Sequence, residues 1–191
     1  MARNAKEPCA EPAGTPEYAS IQSPLDRIER WIDTAGRLSQ WTALGMIALV
    51  AVNVILRYSL SLGAVWAQEL EWHLLAMLTL LGLAHALQRG DEVRVDVYYA
   101  RYSVRTRAIV DLVSLFLLFL VASLLVRLSI PYVMQSFSIA EISPDPGGLP
   151  MRWLIKAMIP LGFALVALHC IAAFFRTLLA ARDVLAGKVA A

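Results

Sequence analysis

With 59% hydrophobic and 17% charged side chains over 191 residues, and a mean hydropathy of +0.61, the chain is too apolar for a soluble domain. The formal net charge is only +2, from 17 Lys and Arg against 15 Asp and Glu, so charge gives no argument for a nucleic-acid partner. Cys9 lies near the start and Cys170 inside an apolar run, and two thiols so placed are not expected to pair.

Residues 1–22 carry Pro8, Pro12 and Pro16 among Ala, Glu and Gly, with too few large apolar side chains to build a core, and read as a disordered cytoplasmic tail. They lack the apolar run and small-residue cleavage site of a signal peptide, so no segment is expected to be removed. Ser23, Pro24 and Asp26 then form a helix start of the capping-box kind. Leu25, Ile28, Ile32, Ala35 and Leu38 recur at helical spacing, with Asp26, Arg27, Glu29, Arg30, Asp33 and Arg37 between them. This predicts an amphipathic interfacial helix over 23–40, lying on the inner leaflet or bracing another subunit, with Trp31 and Trp41 as interfacial anchors.

Four apolar runs follow: Leu38 to Leu56, Trp72 to Gln88, Leu112 to Met134 and Ala157 to Phe175. About 19 helical residues cover roughly 28 Å, close to the ~30 Å of bilayer hydrocarbon. The spans are expected at about 41–57, 70–88, 109–131 and 154–176, inside one membrane domain of 41–178 that ends in a cytoplasmic tail of 179–191. An even number of spans puts both termini on one side. Of the 17 Lys and Arg, thirteen precede span one, join spans two and three, or follow span four. Only Arg57, Arg127, Arg152 and Lys156 lie on the other side, which predicts an N-in/C-in topology.

Before span two, Gly63 to His73 mixes acidic and aromatic residues and suits a short ramp helix along the outer surface. Glu69 and His73, four apart, can bond each other there, while Glu71 projects towards headgroups or a neighbour. After span two, Val93, Val95 and Val97 alternate with Arg94 and Asp96, but with no second strand nearby an extended loop is expected. Asp91, Glu92 and Asp96 lack the spacing and turn glycine of a calcium loop.

Ionisable groups within apolar runs are costly and need a reason. Arg127 stands about 22 Å along span three from Leu112, near the outer boundary, where it can snorkel to water or pair with a carboxylate such as Glu141. His85 and His169 could share a depth, so a haem held between them in a redox membrane anchor is the competing functional reading. No phosphate-binding glycine loop, nucleophile motif or zinc spacing occurs, and nothing points to an enzyme. Gly45, Ala48 and Ala51 on span one, and Gly82 with Ala86 on span two, permit close helix approach.

In the last connection Gly147 and Gly148 permit a turn, and Pro150 suits a helix's first position. Arg152 and Lys156 share a face four residues apart, Trp153 suits the interface, and Pro160 removes a backbone donor within span four.

Three stretches, "QELEWHLLAMLTLLGLAHAL", "GDEVRVDVYYARYSVRTRAIVDL" and "EISPDPGGLPMRWLIKAMIPLGFAL", together resemble the small permease subunit of tripartite ATP-independent periplasmic (TRAP) transporters, over about Trp41 to Phe175. One departure is Glu92, which stands before Val93-Arg94-Val95-Asp96 where relatives often carry His. The resemblance implies a bacterial inner-membrane scaffold with no cofactor, for a large permease subunit that moves solute by an elevator-like motion driven by sodium. It further implies a periplasmic solute-binding protein that delivers an organic acid or similar anion.

The expectation is therefore an all-α integral membrane protein, four transmembrane helices with a cytoplasmic N-terminal amphipathic helix, in contact with lipid and with those two partners. The residues singled out for partner contact are Glu69, Arg94, Asp96, Arg127, Glu141, Arg152, Trp153 and Lys156.

Overall fold

The computed structural model describes residues 16–61, 63–90 and 102–185, and these form four long helices joined by turns. They are α1 (Pro16–Leu60), α2 (Val65–Arg89), α3 (Val104–Ser138) and α4 (Trp153–Leu185). Each contains one of the apolar runs, and all four are long and apolar enough to cross a membrane. At 1.5 Å per residue the 45 residues of α1 extend roughly 67 Å, more than twice the ~30 Å of bilayer hydrocarbon, so much of α1 projects beyond it.

In place of a separate interfacial helix, the amphipathic segment continues unbroken into the first span. Pro24 does not start the helix but lies inside it, leaving the residue-20 carbonyl without its usual donor. The apolar stripe is covered by this chain itself: Ile32 is fully buried with Ala84 of α2, Ala122 of α3 and Val166 and Cys170 of α4, and Ile28 packs against the same cluster. Leu38, at the end of the stripe, is exposed, as are Trp31 and Trp41.

Contacts run from α1 to α2, from α2 to α4 and from α4 to α3, with a lesser contact between α1 and α4. The helices thus make an open layer in the order α1–α2–α4–α3, in which α1 and α3 are the edges. Close approach at its centre depends on Gly162, where an added Cβ would lie 2.8 Å from the Leu80 carbonyl oxygen and Cβ. Gly82 faces Ser39, whose hydroxyl donates to the Gly36 carbonyl of its own helix at 2.8 Å and so costs nothing unsatisfied in an apolar setting. By contrast Gly45 meets no neighbour within 4 Å, and Ala48 and Ala51 are exposed, so that small-residue set is not used within the chain.

Two further expectations differ from the structure. Among the described residues no separate ramp helix precedes span two, since α2 runs continuously from Val65. Pro150 lies ahead of α4, which begins at Trp153, so its fixed φ shapes the approach to the helix and not its first turn.

The end of α3 explains how the next connection begins. Ala140 adopts φ +46, with its N–H bonded to the Phe137 carbonyl at 3.1 Å and the Glu141 N–H to the Ser136 carbonyl at 3.1 Å. This is a Schellman closure with Ala where Gly is the usual residue. It reverses the chain and brings the Glu141 side chain back against the helix it has just left.

Candidate functional site

The titratable groups gather at the two ends of the layer. At the end that carries the α3–α4 connection, two carboxylates clamp the turn. Glu69 of α2 accepts from the Ser143 hydroxyl through Oε1 and from the Leu149 N–H through Oε2, the latter at 2.5 Å. Gly148 is required by this approach, because a Cβ there would fall 2.8 Å from Glu69 Oε2 and closer still to Ser143. Gly147 supplies the left-handed φ of +82 beside it. Within the turn the Gly148 N–H donates to the Asp145 carbonyl at 3.0 Å, and the Arg152 N–H to the Glu141 carbonyl at 3.2 Å.

Glu141 forms the second clamp. Its Oε2 accepts from Ser136 at 2.6 Å and from the Lys156 ammonium, which also sits 4.2 Å from the centre of the Tyr132 ring. The Lys156 hydrogen bond, then that of Ser136, holds the Glu141 carboxyl below its ordinary value, because each favours the ionised form. Trp153 meets Phe137 edge-on, with ring centres 5.4 Å apart, so its ring joins the start of α4 to the end of α3. Arg152 lines a cleft of about 380 Å³ with Lys156, Glu141 and Tyr132 at its polar end and Ala76 and Leu80 on its apolar wall.

Several expectations for single residues change here. Glu69 and His73 do not pair through their side chains: His73 Nδ1 lies 2.7 Å from the Glu69 backbone carbonyl, which frees the carboxylate for the turn. Glu141 is not the partner of Arg127, since Lys156 and Ser136 occupy it; Arg127 is exposed and makes no ion pair among the described residues. Arg94 and Asp96, with the valines beside them, lie outside the described residues. Ser136, Ser143 and Tyr132 are essential to the clamp, yet nothing in the sequence marks them, for hydroxyls acquire this role only through distant partners.

At the opposite end, Arg176 of α4 reaches Asp26 at 2.9 Å and Glu29 at 3.0 Å, tying the start of α1 to the end of α4. His85 lies between α1 and α2, with Nδ1 3.3 Å from Asp33 Oδ1 and Nε2 accepting from Arg89 Nε at 3.0 Å. An Nε2 that accepts places the imidazole proton on Nδ1, towards the Asp33 carboxylate. The ring is wedged over Gly36, where an added Cβ would meet it at 2.3 Å. Nε2 is thus taken by Arg89, while Nδ1 faces Asp33 without completing a hydrogen bond, and His169 has an interaction of its own, so nothing in this arrangement supports a haem held between the two.

Between these ends the facing helices carry Leu, Val, Ala and Phe, and among the described residues no group of three or more His, Cys, Asp or Glu could hold a metal ion. The arrangement is that of a multi-pass membrane component whose charged groups fasten its own ends together. Residues 46–180 match the family model of the tripartite ATP-independent periplasmic transporters, DctQ component, and the chain belongs to that family. It is 29% identical over 131 residues to the ectoine TRAP transporter small permease protein of Halomonas elongata. That match covers 66% of each protein, so the chain spans just under two thirds of the relative's length.

Proposed function

We propose that this chain is the non-catalytic small subunit of a TRAP transporter, an inner-membrane scaffold that holds a large permease subunit in place during uptake. In this reading both termini face the cytoplasm, the α3–α4 turn faces the periplasm, and sodium entry drives the large subunit. The solute, an organic acid or similar compound, arrives on a periplasmic binding protein. Its identity is set by the other two components.

One observation carries the reading. At each end of the layer charged groups are fastened within the chain, Glu141 to Lys156 and Arg176 to Asp26 and Glu29, and among the described residues the apolar stretch between those ends lines no polar path for a hydrated anion and its coupling ions. A chain built this way supports a pathway in another subunit and does not supply one. Glu69, Glu141 and Lys156 then serve assembly indirectly, by fixing the shape of the turn. Arg152 and the turn help receive the binding protein, Trp153 secures their base, Arg127 reaches lipid headgroups, and Arg94 with Asp96 contact the large subunit on the cytoplasmic side.

Reconstituted uptake tests this. Proteoliposomes holding the large subunit and this chain, supplied with loaded binding protein, should accumulate solute when sodium is higher outside. Uptake should disappear when this chain is omitted or the gradient is collapsed. Equal uptake from the large subunit alone would defeat the scaffold.

A further inference from the structure

We infer that the large integral subunit seats on the α1–α2 edge of the layer, over a polar cleft formed by Asn53, Arg57, Gln68 and Glu71, and not on the α3 edge. This rests on the scaffold reading above and specifies the face and the chemistry of the contact. The second half of α1 has neighbours on one side only. Ile47, Val50, Val54 and Ile55 are 62%, 37%, 47% and 61% exposed.

Within that apolar surface, Asn53 Nδ2 donates to Glu71 Oε1 at 3.1 Å. Among the described residues Glu71 Oε2 has no partner. Arg57, one turn further along α1, lines the same cleft of about 130 Å³ with Gln68, Val50 and Val54, and makes no ion pair among the described residues. A carboxylate and a guanidinium thus border one cleft without bonding each other. Asn53 lies about 10 Å along the helix from Leu60, so with the end of α1 at the outer surface, as in the topology proposed above, the cleft reaches into the bilayer, where leaving such groups to hydrocarbon is costly.

The α3 edge is different in kind. Val113, Phe116, Leu117, Leu120 and Leu124 are exposed there as an apolar run that lipid chains cover without cost, and the charge that continues this face, Arg127, is a single cation that reaches the headgroups in the reading above. The polar edge calls for a protein neighbour with complementary groups: a helix presenting a cation or N–H donor to Glu71 and a carboxylate or carbonyl to Arg57.

The test places a photoreactive side chain at Val50 or Val54, and separately at Phe116 or Leu120, in cells co-expressing the chain with the large subunit and binding protein of its own transporter. Irradiation should give an adduct with the large subunit, identified by mass spectrometry, from the first pair and none from the second. Replacing Glu71→Leu should lower the Val54 adduct about tenfold, the loss expected when one partner of a desolvated polar contact is removed. An adduct from the α3 positions alone, or only lipid adducts from all four while the large subunit still co-purifies, would overturn the seating and leave the scaffold reading standing. A large subunit that fails to co-purify at all would remove the scaffold reading itself.

Discussion

Ser143, in the α3–α4 turn, donates its hydroxyl to Glu69 of α2 across 74 positions of sequence. With the Leu149 N–H on the second carboxylate oxygen, this one side chain fixes both halves of the turn to a helix on the far side of α4.

Glu69→Gln keeps the volume but leaves a single acceptor oxygen for two donors. The amide keeps both contacts only if its NH2 donates to the Ser143 oxygen, so two charge-assisted bonds become neutral ones and the turn should open more often. Amide exchange at Leu149 is expected to speed up about tenfold, as for the loss of a charge-assisted hydrogen bond, with helix-centre exchange unchanged. Glu71→Gln, on the other side of α2, should leave Leu149 as it was.

Glu141 makes the turn's fastening acid-sensitive. Lys156 and Ser136 hold its carboxyl below the ordinary 4.5, so the folded form binds the proton less readily than the unfolded chain. The stabilisation is therefore present above the ordinary value and is lost as pH falls through the lower folded value. Thermal unfolding of the wild type and of Glu141→Gln, compared in detergent from pH 7 down to pH 3, should differ by a constant amount to roughly pH 5 and converge below the usual carboxylate range. Convergence already at neutral pH would contradict the pairing.

Ala140 carries a left-handed backbone that Gly adopts freely and Ala at a cost of about 1 kcal/mol. Ala140→Gly should raise the unfolding midpoint, and Ala140→Val, with a branched Cβ in the same conformation, should lower it. The order Gly, Ala, Val is the checkable outcome.

The four spans were legible because about 19 apolar residues with few charges allow little but a membrane helix, and each run lies inside one of the helices found. Helix ends were less legible. Pro24 and Pro150 suit a first helical position, but helix α1 extends before Pro24 and α4 begins after Pro150. The preference is statistical, and packing on both sides of the residue decides it.

The clamp was half legible. Glu69, Glu141, Arg152, Trp153 and Lys156 stand out as polar or aromatic groups beside apolar runs, yet their partners are set by how α2, α3 and α4 meet. No spacing rule reaches from Glu69 to Leu149, 80 residues on. Asn53 shows the reverse, for an amide inside the first apolar run was a signal in plain view, and its meaning emerged only with Glu71 across from it.

The proposed topology is checked by accessibility from outside the cell. With native Cys9 and Cys170 replaced by Ser and Ala, a cysteine introduced at Asp145 should react with a membrane-impermeant maleimide in intact spheroplasts, and one at Arg182 only after lysis. The opposite pattern would invert the orientation.

The most direct measurement of the central claim is purification of the tagged chain in mild detergent from cells co-expressing its transporter's large subunit. The two proteins should elute together in fixed ratio and remain together on dilution. A chain that elutes alone, while the large subunit purifies separately and transports unaided, would contradict it.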